Sequence, residues 1–286
     1  MDIKYIEYNK ITHNRNTTDI REHEGVSYIT FKNLSEAQVV HGFSTRIGGV
    51  SKGHLSTMNL SFHRGDDPGL VMENHRRLSE AIGYDHRKLV FSDQVHETRI
   101  YKVTEADIGK GITCESDIKG IDGLMTDVPG IPLITFYADC VPVYYYDPVK
   151  AVVAMNHSGW RGTVAKISRE MIKALNYEYG CDPADLICAV GPSICRKCYE
   201  VSEDVAQEFK KSYTTEQYDT MITKKENGKY LLDLHVANYY NLVDNGVLPE
   251  HIDVTDICTC CNPELLFSHR ASHGKRGNLG AVIMLK

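Results

Sequence analysis

Cys140 and His157 are the pair in this chain whose types and spacing are most open to chemistry. Around them, residues 131–137, 141–146 and 151–156 form three apolar runs rich in β-branched and aromatic side chains, a strand signature. Asp147-Pro148-Val149-Lys150 is a turn signal between the second and third runs. An antiparallel hairpin closed symmetrically by those four residues sets Tyr146 opposite Ala151, Val141 opposite Asn156 and Cys140 opposite His157. Opposed residues share a face with Cβ atoms about 5 Å apart. A thiol beside an imidazole is either half of a metal site or a nucleophile with its base. The structural alternative is a buried cysteine next to a satisfied histidine. Asp139 before the thiol and Ser158-Gly159-Trp160-Arg161-Gly162 after the imidazole are polar, turn-forming flanks that a plain core hairpin does not need.

A metal at Cys140 and His157 needs a third ligand, and His96, in a strand-to-strand connection beside Gln94, is the best candidate. One thiolate and two imidazoles suit Zn²⁺, and three protein ligands leave a fourth position open, as in catalytic sites. The separations of 44 and 17 residues match no short zinc motif, so the assignment rests on ligand type. Copper electron-transfer chemistry is poorly supplied, because no two of the thirteen histidines form a His-x-His pair. Cys195, Cys198, Cys258, Cys260 and Cys261 offer a second group of thiols. Cys188 adds ambiguity to their pairing, and we expect reduced structural thiols there. For an anion, two segments stand out. His41-Gly42-Phe43-Ser44-Thr45-Arg46-Ile47-Gly48-Gly49 brings glycines for close backbone approach and donors at Ser44 and Arg46. Arg161 sits where a helix opens after the His157 strand, and a helix start favours anions. A loop that merely turns and a surface arginine in an ion pair are the plainer readings.

The elements that position these residues follow from periodicity and punctuation. Asp67 and Pro68, then Leu70, Val71, Asn74, Leu78 and Ile82 ahead of Gly83, predict a capped helix. Val164, Ile167, Met171, Ile172 and Leu175 predict an amphipathic helix directly after Arg161. Further helices are expected after Ser202 and over 234–243, with 212–229 as a polar excursion. Strands are expected at 26–31, 88–92, 98–103, 186–190, 252–254 and 281–285. Strands run the whole length with no linker between halves, which predicts one α+β domain with mixed sheets over 26–286, preceded by a polar segment at 1–25.

Totals bound the function. A net charge of −6, from 32 basic and 38 acidic residues, with no basic run, argues against nucleic acid as a partner. No apolar stretch approaches the roughly 20 residues of a membrane span, and the polar N-terminus has no secretory core. Nine cysteines, an odd number, in a chain read as cytoplasmic point to reduced thiols rather than a disulfide frame.

With HGFSTRIGGVS at 41–51, QVH at 94–96, DGLMTDVPGIPLITFYADCVPV at 122–143, NHSGWRGT at 156–163, GPSICRKCYEV at 191–201, DLHVANYYNL at 233–242 and CTCCNPELLFSHRASHGKRG at 258–277, the chain resembles the laccase-domain family, also called multicopper polyphenol oxidase or YfiH-like. The motifs span about residues 40–286 in order. The resemblance implies a layered α/β/β/α fold and zinc ligands at His96, Cys140 and His157. It implies purine nucleoside phosphorylase activity on adenosine or inosine with phosphate as co-substrate, with adenosine deaminase and methylthioadenosine phosphorylase activities besides. In that chemistry Cys140 and His157 act with Asp139 as proton carrier, while Arg46, Ser44 and Arg161 hold substrate. Asn156 and Ser158 depart from the small residues usual in the family. The competing reactions are a zinc-free Cys–His amidohydrolase acting on peptidoglycan or as a deamidase, and a copper-dependent polyphenol oxidase.

Overall fold

A computed structural model of the chain describes residues 3–286. Two six-stranded sheets carry it. The first has the order Thr18–His23, Val26–Phe31, Val40–Ser44, Leu279–Met284, Leu133–Tyr137, Val90–Phe91. The second has the order Ile252–Val254, Ile187–Val190, Val141–Asp147, Val152–Ser158, Gly123–Thr126, Ile100–Lys102. Most pairs are antiparallel, but three are parallel, so both sheets are mixed. The sheets face each other across a core that takes Ile29, Phe43, Leu133 and Ile283 from the first and Leu124, Tyr144, Val153 and Met155 from the second. Helix Pro68–Ile82 covers the outer face of the first sheet through Leu78. Helices Ile167–Tyr179, Glu203–Ser212 and Leu234–Val243 cover the second, bringing Met171, Phe209 and Leu242 against Val143, Tyr145 and Ala154. The result is the expected α/β/β/α layering of a single α+β domain.

Strands Val141–Asp147 and Val152–Ser158 form the central hairpin, in a register two residues away from the symmetric closure. Pro142 pairs with His157, Val141 with Ser158 and Asp147 with Val152. Asp147 is the reason. Its Oδ1 accepts from the backbone N–H of Val149 at 2.8 Å and of Lys150 at 2.9 Å, so it ends the strand and the turn moves to 148–151. A slip of two preserves the side each residue faces, whereas a slip of one reverses it. Pro142 and Tyr144 lie on the side of His157 and Met155, toward the space between the sheets, and Cys140 continues that alternation at the open end of the hairpin.

Local signals explain the neighbouring elements. Asp67 caps helix Pro68–Ile82 by accepting from Gly69 N–H at 2.7 Å, and Gly83 ends it at φ +96°. The helix expected after Arg161 is broken into Trp160–Val164 and Ile167–Tyr179. Lys166 lies between them in the left-handed region, its Nζ donating to Asn241 Oδ1 at 2.8 Å and lying over the Tyr213 ring. Residues 212–229 are more ordered than their polarity suggests. Thr214 and Gln217 form a capping box that starts helix Thr215–Met221, and strands Ile222–Lys224 and Tyr230–Leu232 follow, paired with each other. The polar N-terminal stretch supplies the exposed edge strand Thr18–His23. Among the described residues, no helix is long and apolar enough to cross a membrane.

Candidate metal centre and its cleft

His96, Cys140 and His157 converge from three separate segments. Their candidate ligand atoms all lie within 4.8 Å of one another, with Cys140 Sγ 4.0 Å from His96 Nε2. The two imidazoles meet edge to face, centroids 4.7 Å apart. His157 is fixed by its strand, Cys140 by the turn entering the partner strand, and His96 by a loop in which it takes φ +65°. His157 is buried, Cys140 half-buried and His96 exposed, so the cluster opens on one side. Tetrahedral zinc with ordinary arms places sulfur and nitrogen about 3.6 Å apart. The donor set fits such an ion, and the 4.0 Å between Cys140 Sγ and His96 Nε2 lies a few tenths of an ångström above that edge.

Asp122 builds this arrangement, a role that the sequence analysis does not assign to it. It is fully buried and accepts backbone N–H bonds from Val95 at 3.0 Å, His96 at 3.0 Å and Glu97 at 2.9 Å, which folds the His96 loop around one carboxylate. Its Oδ1 also takes the Nδ1–H of His157 at 2.8 Å. That bond leaves Nε2 of His157 free to ligate and fixes its tautomer, as carboxylates commonly do behind metal-binding histidines. The available signal was pairing: Gly123 opposes Asn156, so Asp122 stands opposite His157. Gly159 matters for space. A Cβ there would lie 2.8 Å from His96 Cδ2 and 3.3 Å from Cys140 Sγ.

Charge is concentrated at this point. Burial would raise the Cys140 thiol, but the charge and hydrogen bonding of His157 and His96 overcome it and bring it down to about 6. Burial would likewise lower His157, yet Cys140 and Asp122 raise it to about 9. Asp122 is held below the ordinary carboxylate range: burial opposes this, and the bonds from His157 and the loop N–H groups outweigh it.

The cluster forms one wall of a cavity of about 560 Å³, of a size that takes a small organic ligand. Phe62, Phe91, Phe136 and Tyr137 supply aromatic surface, and Arg64, Arg276 and Lys119 supply positive charge. Arg276 Nε is buried and has no protein acceptor. Burial, with the neighbouring Arg64, lowers the Arg276 guanidinium to about 10 against the attraction of Asp139 and Cys140.

Several expected site residues are employed elsewhere. Ser44 is fully buried, and its Oγ accepts from Gly280 N–H at 2.9 Å. The Arg46 guanidinium donates to the carbonyls of Ser56 and Pro263 and lies over the Phe267 ring, tying loops together away from the cavity wall. Gly48 and Gly49 let backbone pass backbone rather than ligand: added Cβ atoms would meet Gly25 O at 2.4 Å and Thr57 O at 2.2 Å. Arg161 is exposed, stacked on Trp160, and outside the cavity lining. Asp139, at φ +91°, turns both oxygens away, accepting from Thr259 Oγ1 at 2.6 Å and Arg270 N–H at 2.7 Å. It positions Cys140 rather than lining the cavity. Asn156 and Ser158 bond each other at 2.8 Å, fully buried and outside the lining, so these departures from the family pattern do not touch the cavity.

Comparison with known proteins agrees with this architecture. The family model described as multi-copper polyphenol oxidoreductase laccase matches residues 40–286. The chain is 35% identical to purine nucleoside phosphorylase YlmD of Bacillus subtilis (strain 168), covering 89% of this chain and 91% of that protein. It is 37% identical to the protein of the same name from Geobacillus stearothermophilus, over 86% of this chain and 90% of that one. Among solved structures, the hypothetical protein YfiH of Bacillus licheniformis superposes with a TM-score of 0.87 at 34% identity, covering 93% of this chain and 99% of that one. YlmD of Geobacillus stearothermophilus also gives 0.87, at 35% identity, covering 93% and 98%. The two-sheet fold, the match over 40–286 and the identity to these relatives agree: the chain belongs to the multi-copper polyphenol oxidoreductase laccase family.

Proposed function

We propose that this protein is a zinc-dependent purine nucleoside phosphorylase acting on adenosine or inosine. The observation that carries the proposal is the cavity itself. It joins a thiolate–bis-imidazole cluster to an aromatic wall and to an arginine whose buried Nε lacks an acceptor. The relatives named purine nucleoside phosphorylase support the same reading. Phe62, Phe91 and Phe136 would hold the purine, since base-on-aromatic stacking is worth about 1–3 kcal/mol. Arg64 and Arg276 would hold the phosphate, replacing the Arg46 and Arg161 of the sequence reading. His96, Cys140 and His157 would hold Zn²⁺, which as a Lewis acid would polarise an oxygen placed against it.

In this reaction a phosphate oxygen attacks the anomeric carbon. The carbon–nitrogen bond to the purine breaks, the base leaves with the bonding pair, and the proton given up by the attacking hydrogen phosphate neutralises it. Orientation and charge neutralisation by the two arginines would do most of the work. Asp139 is reassigned from proton carrier to positioning residue. The cytoplasm is the proposed compartment, where thiols stay reduced.

A zinc-free Cys–His hydrolase is the second reading, favoured by a thiol near 6 beside an imidazole near 9. His96 argues against it, because a nucleophile and base already oriented by Asp122 need no third donor. Incubating the purified protein with inosine and with adenosine, with and without phosphate, and resolving the products tests the proposal. We expect free base and ribose 1-phosphate only when phosphate is present. Ammonia from adenosine without phosphate would reveal deamination at the same site. No turnover of either nucleoside, together with irreversible iodoacetamide labelling of Cys140 in active metal-free protein, would defeat the proposal in favour of the hydrolase.

A further inference from the structure

We propose that Cys195, Cys198, Cys258 and Cys261 form a second, closed metal site that holds a structural Zn²⁺ behind the cleft. The four sulfurs lie within 4.8 Å of one another. Cys195 and Cys261 Sγ are 3.8 Å apart, and Cys198 and Cys261 Sγ are 3.4 Å apart. A disulfide needs about 2.05 Å. A tetrahedron with zinc–sulfur arms of about 2.3 Å has edges of about 3.8 Å, the spacing of a tetrathiolate site.

The sequence pairs these residues as two C-x-x-C hooks, 195–198 and 258–261, a pairing obscured by Cys260 standing inside the second. Cys188 plays no part, since it is buried in the core among Val143, Tyr145 and Leu186. The fold explains why the hooks meet. Strands Ile187–Val190 and Ile252–Val254 are parallel neighbours, so the chain leaves both in the same direction. A bridge between Ser193 and Cys258 then keeps the two exits in step. Backbone N–H groups of Cys195 and Cys261 point at Cys258 Sγ, at 3.2 and 3.4 Å, and such donors favour a thiolate over a thiol. Two of the four cysteines are buried and two half-buried, and all four corners are protein sulfur, which describes a structural rather than a catalytic site.

The hooks also reach the cleft. Asp139, next to Cys140, accepts from Thr259 Oγ1 at 2.6 Å in the second hook, and its carbonyl accepts from Ile194 N–H at 3.1 Å beside the first. An ion joining the hooks fixes the loops that set the Cys140 turn. This inference does not rest on phosphorolysis, and its test reads metal rather than turnover.

Zinc per chain is measured by mass spectrometry on full-length protein purified under reducing conditions. Wild type is expected to hold two equivalents and Cys140→Ala one. The Cys198→Ser/Cys261→Ser double variant should lose one equivalent relative to wild type. Cys140→Ala leaves all four sulfurs intact, so it tests the site even where the double variant fails to fold. Cobalt loaded into Cys140→Ala should add intense thiolate-to-metal charge-transfer absorption in the near ultraviolet. A folded Cys140→Ala that binds no zinc and shows no such absorption would overturn the proposal. So would iron at one equivalent in place of zinc, or a disulfide between any two of the four cysteines in reduced preparations.

Discussion

Replacing Asp122 by Asn changes one atom behind the proposed metal centre and leaves the candidate ligands in place. The carboxylate accepts four bonds, two on each oxygen: His96 N–H and His157 Nδ1–H on Oδ1, Val95 and Glu97 N–H on Oδ2. An amide has one oxygen, so its NH₂ must face two donors whichever way it is turned. Two charge-assisted bonds, at about 1.5–3 kcal/mol each, amount to roughly 3–6 kcal/mol divided between folding and the site. With the NH₂ toward the loop, the His96 segment loosens. With the NH₂ toward His157, its ring must flip tautomer, placing the proton on Nε2 and removing the ligand lone pair. Either way we expect zinc affinity and kcat/KM to fall about 10–100-fold, the range for lost partners of metal-binding histidines. Competition against a chromophoric chelator measures the first, and steady-state kinetics under saturating zinc separates the second. Folding, followed by circular dichroism on the same samples, identifies any global loss. A folded Asn variant with wild-type zinc affinity and wild-type kcat/KM would refute the reasoning.

Other perturbations separate the remaining roles. Gly159→Ala puts a methyl 2.8 Å from His96 Cδ2 without backbone strain, so zinc affinity should fall about tenfold or more while the melting temperature changes little; an unchanged affinity would contradict the geometry. Arg276→Gln should raise KM for phosphate at least tenfold with a smaller effect on nucleoside binding. Arg46→Ala should lower the melting temperature and leave KM for phosphate alone, and the reverse pattern would restore Arg46 to the site. Acid should destabilise the fold through His41 and His75, both lowered to about 4, chiefly by burial. Such groups are neutral when folded and titrate near 6.5 when unfolded. Their stabilisation is therefore full above about 6.5 and lost as pH falls toward 4, by up to roughly 3 kcal/mol each. Urea midpoints should drop across that interval, and a flat profile would contradict the assignment.

What the chain discloses before folding is uneven, and the reasons are physical. Asp67, Pro68 and Gly83 mark helix Pro68–Ile82 because caps and termination are local effects. The Cys140–His157 association is legible because strand alternation has period two, and it outlasts a register slip of two caused by the Asp147 turn. Asp122 is not legible, since its role depends on Gly123–Thr126 pairing beside Val152–Ser158, a long-range choice. The same limitation misdirects the anion site. Arg46 lies in a conspicuous glycine-rich motif, yet its partners are backbone carbonyls as distant in sequence as Pro263. Arg64 lies outside every quoted motif and Arg276 near the end of the one at 258–277, 212 residues apart, and they meet only when the chain closes, Arg64 Nε donating to the Arg276 carbonyl at 3.4 Å.

Phosphorus NMR of the working reaction tests the central claim most directly. Zinc-loaded wild type and Cys140→Ala are supplied with inosine and inorganic phosphate, and the fate of the phosphate is followed. With wild type, the inorganic phosphate signal should decline as a sugar 1-phosphate signal grows one for one with free hypoxanthine, and Cys140→Ala should leave the spectrum unchanged. Hypoxanthine release with the phosphate signal untouched, or undiminished conversion by Cys140→Ala, would contradict the account.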